Sequence, residues 1–241
     1  VHPSRIITLL TDLKGEDCRL KEYPFRKEDD LLACLKKIIS LTLPLCQDSR
    51  YKIVGISIGI YGVVQNNCIE FTPYYSLPIQ NLAELLEEAF GIPITVENES
   101  NLSVLGESVF HSHCRNMIHL NVHDGIGMGI LINGQLYRGQ DGFAGEIGHT
   151  ILFPDGKPCP CGNNGCLEEY AFLTGRTHIT IDTFLREYQE QKPEALHMAE
   201  LFVKYMSIAI NNIINTFNIE LVVLNSSFSN YIPDINKRIE E

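Results

Sequence analysis

The sequence predicts an α/β protein of two lobes. Three observations carry that reading: short β-branched runs alternate with segments of helical apolar period, the alternation occurs twice over, and no Pro/Gly/Ser-rich linker separates the two passes. At 241 residues and 44% apolar composition, the chain has material for one large domain or two modest lobes. The passes meet near residues 111–118, so the expected lobes are an N-terminal α/β lobe over 1–114 and a C-terminal one over 115–241.

Taken in order, residues 5–13 read as a strand running into the turn Lys14-Gly15-Glu16, and residues 19–25 as its returning partner. Leu31, Leu32, Leu35, Ile38, Ile39 and Thr42 recur at helical spacing, which predicts a helix over 27–45 that stops near Pro44. Residues 53–60, Ile-Val-Gly-Ile-Ser-Ile-Gly-Ile, form a continuous run suited to a strand buried on both faces. A second helix over 82–90 is closed by Gly91, with Pro93 soon after. A short strand over 94–97 and a helix over 101–110 complete the first pass. The second pass opens with strands over 117–122 and 129–137, with Asn133-Gly134 as a hairpin turn. Residues 138–166 are Gly-rich and irregular; a long helix over 193–217 and a strand over 220–224 follow.

Composition excludes several function classes. A net charge of −11 without a basic run or stripe argues against this stretch gripping a phosphate backbone by itself. No apolar run approaches the roughly 20 residues of a membrane span, and no charged n-region precedes an apolar h-region at the start, so no membrane partner and a cytoplasmic location are expected. The chain starts at Val1 rather than Met and ends in a charged helical run, which reads as a fragment of a longer protein.

Eight cysteines divide into five scattered ones, Cys18, Cys34, Cys46, Cys68 and Cys114, and a tight set, Cys159, Cys161 and Cys166. Scattered thiols beside a cluster in a chain of this size fit a reducing compartment and a metal better than a disulfide framework. With His149, the cluster Cys159-Pro160-Cys161-Gly162-Asn163-Asn164-Gly165-Cys166 supplies three thiolates and one imidazole, a complete tetrahedral Zn²⁺ shell over the loop 149–166. Four protein ligands leave no position for a substrate water, so the expected zinc is structural. The glycines let a short loop turn its sulfurs toward one ion.

Gly145-Glu146-Ile147-Gly148-His149, the cysteine cluster and Gly165-Cys166-Leu167-Glu168 together resemble the signature of the ROK family of sugar kinases and sugar-responsive repressors. The resemblance extends to Gly59-Ile60-Tyr61-Gly62, to Val96-Glu97-Asn98-Glu99-Ser100-Asn101, to Gly125-Ile126-Gly127-Met128-Gly129 and to residues 133–139, in family order. It implies a two-lobed actin/hexokinase-like (ribonuclease H-like) fold, a sugar in the cleft, and ATP in the kinases. Carried over by motif, Asn98, Glu99, Glu146, His149 and Glu168 are the implied contacts to a monosaccharide or sugar derivative. Such groups suit hydroxyls that donate and accept at once. On their own chemistry, Asn98 and Glu99 serve equally as cap residues, Glu146 as a loop carboxylate, and Glu168 as a first-turn Glu favoured by a helix dipole.

Departures from the kinase pattern are concentrated around phosphate. Glu99 stands where family kinases place an Asp base, so no catalytic residue is assigned. Val1-His2-Pro3-Ser4-Arg5 aligns with an Asp-x-Gly-x-Thr turn without its glycine, Asp124 replaces a Thr before Gly125, and Asn225-Ser226 replace a Gly-Gly pair. The expectation is therefore a sugar-binding effector domain of a ROK-type transcriptional regulator with kinase activity lost; a divergent ATP-dependent sugar kinase is the alternative. The resemblance also implies a homodimer or homotetramer, with DNA met only through a separate N-terminal winged-helix domain.

Overall fold

The computed structural model describes residues 1–46, 52–74, 81–123, 125–171, 180–232 and 234–241, the side chains of Cys46 and Asn230 aside. Two compact units divide the chain, Val1–Glu99 and Ser100–Glu241.

In the first unit, β1 (Arg5–Leu10) and β2 (Arg19–Pro24) form the expected antiparallel hairpin, with Ile6 opposite Tyr23. The helix expected over 27–45 is shorter. Asp30 caps α1 (Leu31–Thr42) by accepting from the Ala33 amide, and a 3-10 turn, Leu43–Cys46, carries Pro44. β3 (Ile56–Ile60) pairs in parallel with β6, and the antiparallel hairpin of β4 (Val63–Gln65) and β5 (Cys68–Phe71) lies between them in sequence. Asn66 and Asn67 both take positive φ at that hairpin's turn. α2 (Leu82–Phe90) ends on Gly91 in the left-handed region as the sequence suggests, and β6 (Ile94–Asn98) follows.

One expectation fails in this unit. Residues 53–60 do not make a strand buried on both faces: in β3 only Ile58 and Ile60 are buried, and Ser57 is exposed. Among the described residues β3 has a partner on one side only, and the pleat turns alternate residues away from the core. That core gathers Ile6, Phe25, Leu35, Ile60, Leu82, Leu86 and Val96.

The second unit is built on a four-stranded sheet of order β10-β7-β8-β9. α3 (Glu99–Phe110) leads into β7 (Met117–Val122), which is buried along its whole length, then β8 (Ile126–Ile132) and the short β9 (Gln135–Leu136). Asn133 and Gly134 turn the β8–β9 hairpin with positive φ, as their sequence suggests. After the irregular loop come α4 (Glu168–Ala171), α5 (Ile181–Gln189) and the 25-residue α6 (Pro193–Phe217), with Pro193 in its first turn and Asn218 closing it at positive φ. β10 (Leu221–Ser226) lies parallel to β7, and α7 (Ser227–Tyr231) and α8 (Ile235–Glu240) end the chain. Phe202, Met206, Ala209 and Ile213 of α6 share one core with Ile118, Leu120 and Val122 of β7.

The units divide between Glu99 and Ser100, in the first turn of α3, whereas the boundary expected from sequence, 114/115, lies after that helix. Packing explains the observed position. A Cβ on Gly129 of β8 would overlap the Ser100 carbonyl oxygen, so the glycine lets α3 seat closely on the sheet. Asn121 of β7 donates from Nδ2 to Ser103 Oγ at 2.9 Å. Among the described residues no helix is long and apolar enough to cross a membrane.

Candidate metal centre and neighbouring carboxylates

The irregular segment 138–166 is held by backbone pairing and by Ala144, Ile147 and Leu152, which pack on the core of the second unit. The Met128 amide of β8 donates to the Gly145 carbonyl at 3.0 Å, and Gly148 sits against Ile126, which lays Glu146 and a 3-10 turn, Ile147–His149, on the strand. Farther along, the Gly162 amide donates to Cys159 at 3.0 Å, Cys159 to Asn163 at 2.8 Å, and Gly165 to Lys157 at 2.7 Å, which folds the cysteine loop back on itself. Leu167 donates to Thr150 at 2.8 Å, so the end of the loop is stitched beside the His149 turn. Phe153, Tyr170 and Tyr205 pack ring against ring behind it, and Tyr170 Oη accepts from the Lys157 amide at 2.7 Å.

These constraints bring the four predicted ligands together. One donor atom from each of His149, Cys159, Cys161 and Cys166 lies within 4.8 Å of every other. Cys159 Sγ is 3.6 Å from His149 Nδ1, and Cys161 Sγ is 3.6 Å from Cys166 Sγ. Zinc–sulfur bonds of about 2.3 Å place tetrahedral sulfurs about 3.8 Å apart, so the donor set fits a tetrahedral cation in type and spacing. The seven described cysteines are free, consistent with thiols rather than a disulfide framework.

Burial pushes the Cys159 thiol up to about 12 and also raises Cys166. Burial acts in the same sense on Cys161, but hydrogen bonds from the Asn163 amide and from its two sister thiols outweigh it and hold Cys161 below the ordinary thiol range. For the buried Cys159 and Cys166 a bound cation would favour the thiolate form that burial opposes.

Two carboxylates flank the cluster. Glu168 Oε1 lies 3.4 Å from His149 Nδ1 and accepts from Cys159 Sγ at 3.3 Å, while Glu146 Oε2 lies 3.9 Å from His149 Nε2. The imidazole therefore faces the sulfurs with Nδ1 and Glu146 with Nε2. Burial pushes the Glu146 carboxyl up; His149 opposes the shift and Glu168 adds to it. Two carboxylates and an imidazole within a few ångströms can accept from and donate to the hydroxyls of a polyol.

Of the residues picked from sequence, Glu146, His149, Cys159, Cys161, Cys166 and Glu168 are brought together inside the second unit. Asn98 and Glu99 belong to the first unit, where Asn98 Nδ2 donates to the Gly62 carbonyl at 2.8 Å and Glu99 opens α3. Glu169 was not anticipated: it is 3% exposed and groups with Cys159 and Glu168. Two adjacent glutamates at a helix start give no signal of which one turns inward.

The segments aligned with kinase phosphate loops are engaged elsewhere. The Ser4 amide donates to His2 Nδ1 at 3.2 Å, Asn225 Nδ2 donates to Asn121 Oδ1 at 3.0 Å, and the buried Ser226 hydroxyl caps α7. Asp124 lies outside the described residues.

Solved structures with this architecture define its class. A ROK family transcriptional regulator, a homologue of the E. coli MLC protein, superposes with a TM-score of 0.81 at 25% identity, covering 98% of this chain and 69% of that one. A ROK hexokinase from Thermus thermophilus superposes with a TM-score of 0.80 at 22% identity, covering 100% of this chain and 84% of that one. The fold class is the actin/hexokinase-like α/β class, as the sequence resemblance implies. A family model described as the ROK family matches residues 4–240, and the chain belongs to the ROK family.

Among curated relatives, the xylose repressor of Bacillus subtilis is 33% identical over 237 residues, 91% of this chain and 60% of the repressor. The xylose repressor of Bacillus spizizenii is 34% identical over 190 residues, 74% of this chain and 50% of that one. A glucokinase of Halalkalibacterium halodurans is 28% identical over 223 residues, 80% of this chain and 67% of the enzyme. The chain thus spans 50% to 60% of the length of these two repressors.

Proposed function

We propose that this chain is the sugar-binding sensor part of a ROK-type transcriptional regulator in which phosphoryl transfer has been lost. The observation that carries the reading is that His149 of the Cys3His cluster has a carboxylate at each ring nitrogen, Glu168 at Nδ1 and Glu146 at Nε2, hydroxyl-binding groups set directly against a candidate metal scaffold. The similarity to two xylose repressors supports a sugar as ligand and puts D-xylose first among probes. Zinc is the proposed ion because three thiolates and an imidazole match its ligand preference; when bound it supplies a fixed positive centre that orients the His149 ring. Asn98 and Glu99 are proposed as further sugar contacts on their motif alone.

Contact with DNA is assigned to a separate N-terminal winged-helix part, in keeping with the net charge of −11 here and with the share of each repressor that this chain spans. A homodimer or homotetramer in the cytoplasm completes the proposal. The divergent sugar kinase is kept as a second reading because a glucokinase is among the relatives.

The test is a thermal-shift panel on the zinc-loaded chain with D-xylose, D-glucose and N-acetyl-D-glucosamine, together with zinc content by elemental analysis. Expected are one zinc per chain and a raised midpoint with at least one sugar, since a ligand bound only by the native state must stabilise it. Glu168→Ala should abolish the sugar shift and keep the sugar-free midpoint, while Cys161→Ser should lower the midpoint itself. A folded protein without zinc, or no shift with any sugar, defeats the proposal.

A further inference from the structure

The turn after β3 carries an aromatic corner. Tyr61 follows Ile60, the last residue of β3, and Ile60 stands opposite Asn98, the last residue of β6, in the parallel pair. Tyr61 and Asn98 therefore lie at the carboxyl ends of the same two strands, the end at which open α/β sheets take their ligands. Gly62 fixes the corner: its φ is 145°, a Cβ there would overlap the Phe71 carbonyl oxygen, and its own carbonyl accepts from Asn98 Nδ2 at 2.8 Å. Two rings stand square to that of Tyr61, His2 at 5.8 Å between centroids and 88° between planes, and Tyr74 at 5.8 Å and 79°. Tyr74 packs on the apolar core of the unit, whereas Tyr61, half-buried, is not among the residues packed there.

We propose that Tyr61 is a stacking platform for the sugar: its ring takes the C–H face of an all-equatorial pyranose beside Asn98. The proposal rests on the sensor reading above and adds an apolar contact to its polar ones. A pyranose with equatorial substituents turns its hydroxyls outward and its axial C–H bonds to either face. Those hydrogens, made positive by the neighbouring oxygens, are attracted to the negative face of an aromatic ring. Hydroxyl-binding groups recognise the rim of such a sugar, and a flat apolar surface recognises its face. Tyr61 suits that task because its ring has only two side-chain torsions to freeze, and the Gly62 corner and the two squared rings already limit them. D-Xylose, D-glucose and N-acetyl-D-glucosamine each have an all-equatorial β-pyranose form, so the platform selects for pyranose shape and leaves the choice among them to the polar contacts.

The test is calorimetric titration of the full chain, with zinc present, using whichever sugar of the panel shifts its melting, together with an ultraviolet difference spectrum. The chain has ten tyrosines and no tryptophan, so its near-ultraviolet band reports tyrosine. Sugar should shift that band in the unaltered chain. Tyr61→Leu should weaken sugar affinity about tenfold and keep the sugar-free midpoint, the loss of one well-placed aromatic contact. Tyr61→Phe keeps the ring face and removes the hydroxyl, so affinity should stay within about threefold while most of the band shift disappears. A loss of about tenfold in Tyr61→Phe makes the contact a hydroxyl hydrogen bond and overturns the platform. So does a band shift that survives in that variant, or sugar binding to the unaltered chain without any band shift. If Tyr61→Leu fails to fold, Tyr61→Phe decides by the same two readouts. A folded Tyr61→Leu that binds sugar within about twofold of the unaltered chain overturns the platform and spares the sensor reading. No sugar shift in the unaltered chain defeats both.

Discussion

His119 is 5% exposed on β7, its Nε2 is 3.9 Å from Glu107 Oε2, and its Nδ1 is buried with no hydrogen-bond partner among the described residues. Glu107 on α3 also meets His111 Nε2 at 3.1 Å. Burial lowers the pKa of His119 below its ordinary 6.5, against the pull of Glu107 and with help from His123. The sign follows directly: below the ordinary value the unfolded chain binds a proton that the folded chain refuses, so stability falls as pH drops through 6.5 toward the lowered value. We expect the melting midpoint to decline between about pH 7 and pH 5, and His119→Phe to flatten part of that slope. An identical slope in the variant assigns the decline to other groups. None of this was legible in the sequence, where His119 is one polar residue in a strand. The Cys3His cluster was legible, because three cysteines and a histidine in one irregular stretch have few other uses. The direction of the Glu168 carboxylate was not, since helix-start geometry alone leaves its rotamer open.

At the scale of elements, the cysteine loop depends on one backbone conformation. Gly165 has a φ of 75°, and a Cβ there would overlap the carbonyl oxygen of Phe153, the residue whose ring packs on Tyr170. Gly165→Ala should therefore cost on the order of 3 kcal/mol and lower metal affinity together with stability, checked by chemical denaturation with and without zinc. Loss of stability with unaltered metal binding shows instead that the loop relaxes around the added methyl. Helix ends were readable wherever a residue has a single purpose, as with Gly91 closing α2 and Pro193 opening α6. The β4–β5 hairpin was missed although Asn66-Asn67 marks its turn, because its flanking strands are too short to show alternation. For β3, a continuous apolar run suggested burial on both faces, and pairing on one side decided otherwise.

For the whole molecule, the family match over residues 4–240 joins repressors and kinases under one fold, so activity turns on the individual site. The Ser4 amide is taken by His2, and the Ser226 hydroxyl by the start of α7. We expect sugar-dependent ATP hydrolysis by the purified chain to stay at background under saturating D-xylose or D-glucose. Turnover that needs both sugar and ATP restores the kinase reading.

By itself the sequence determined what depends on residue type and near spacing: the α/β alternation, the caps, the four metal-ligand candidates and the family motifs in their order. Tertiary structure decided what depends on distance through space. It divided the units at the first turn of α3, turned half of β3 away from its core, and set Glu168 beside the Cys3His cluster. Such outcomes escape a linear reading because the energy of a buried group is set by the atoms packed around it, and those arrive from β8, the His149 turn and the cysteine loop by paths the local sequence does not encode.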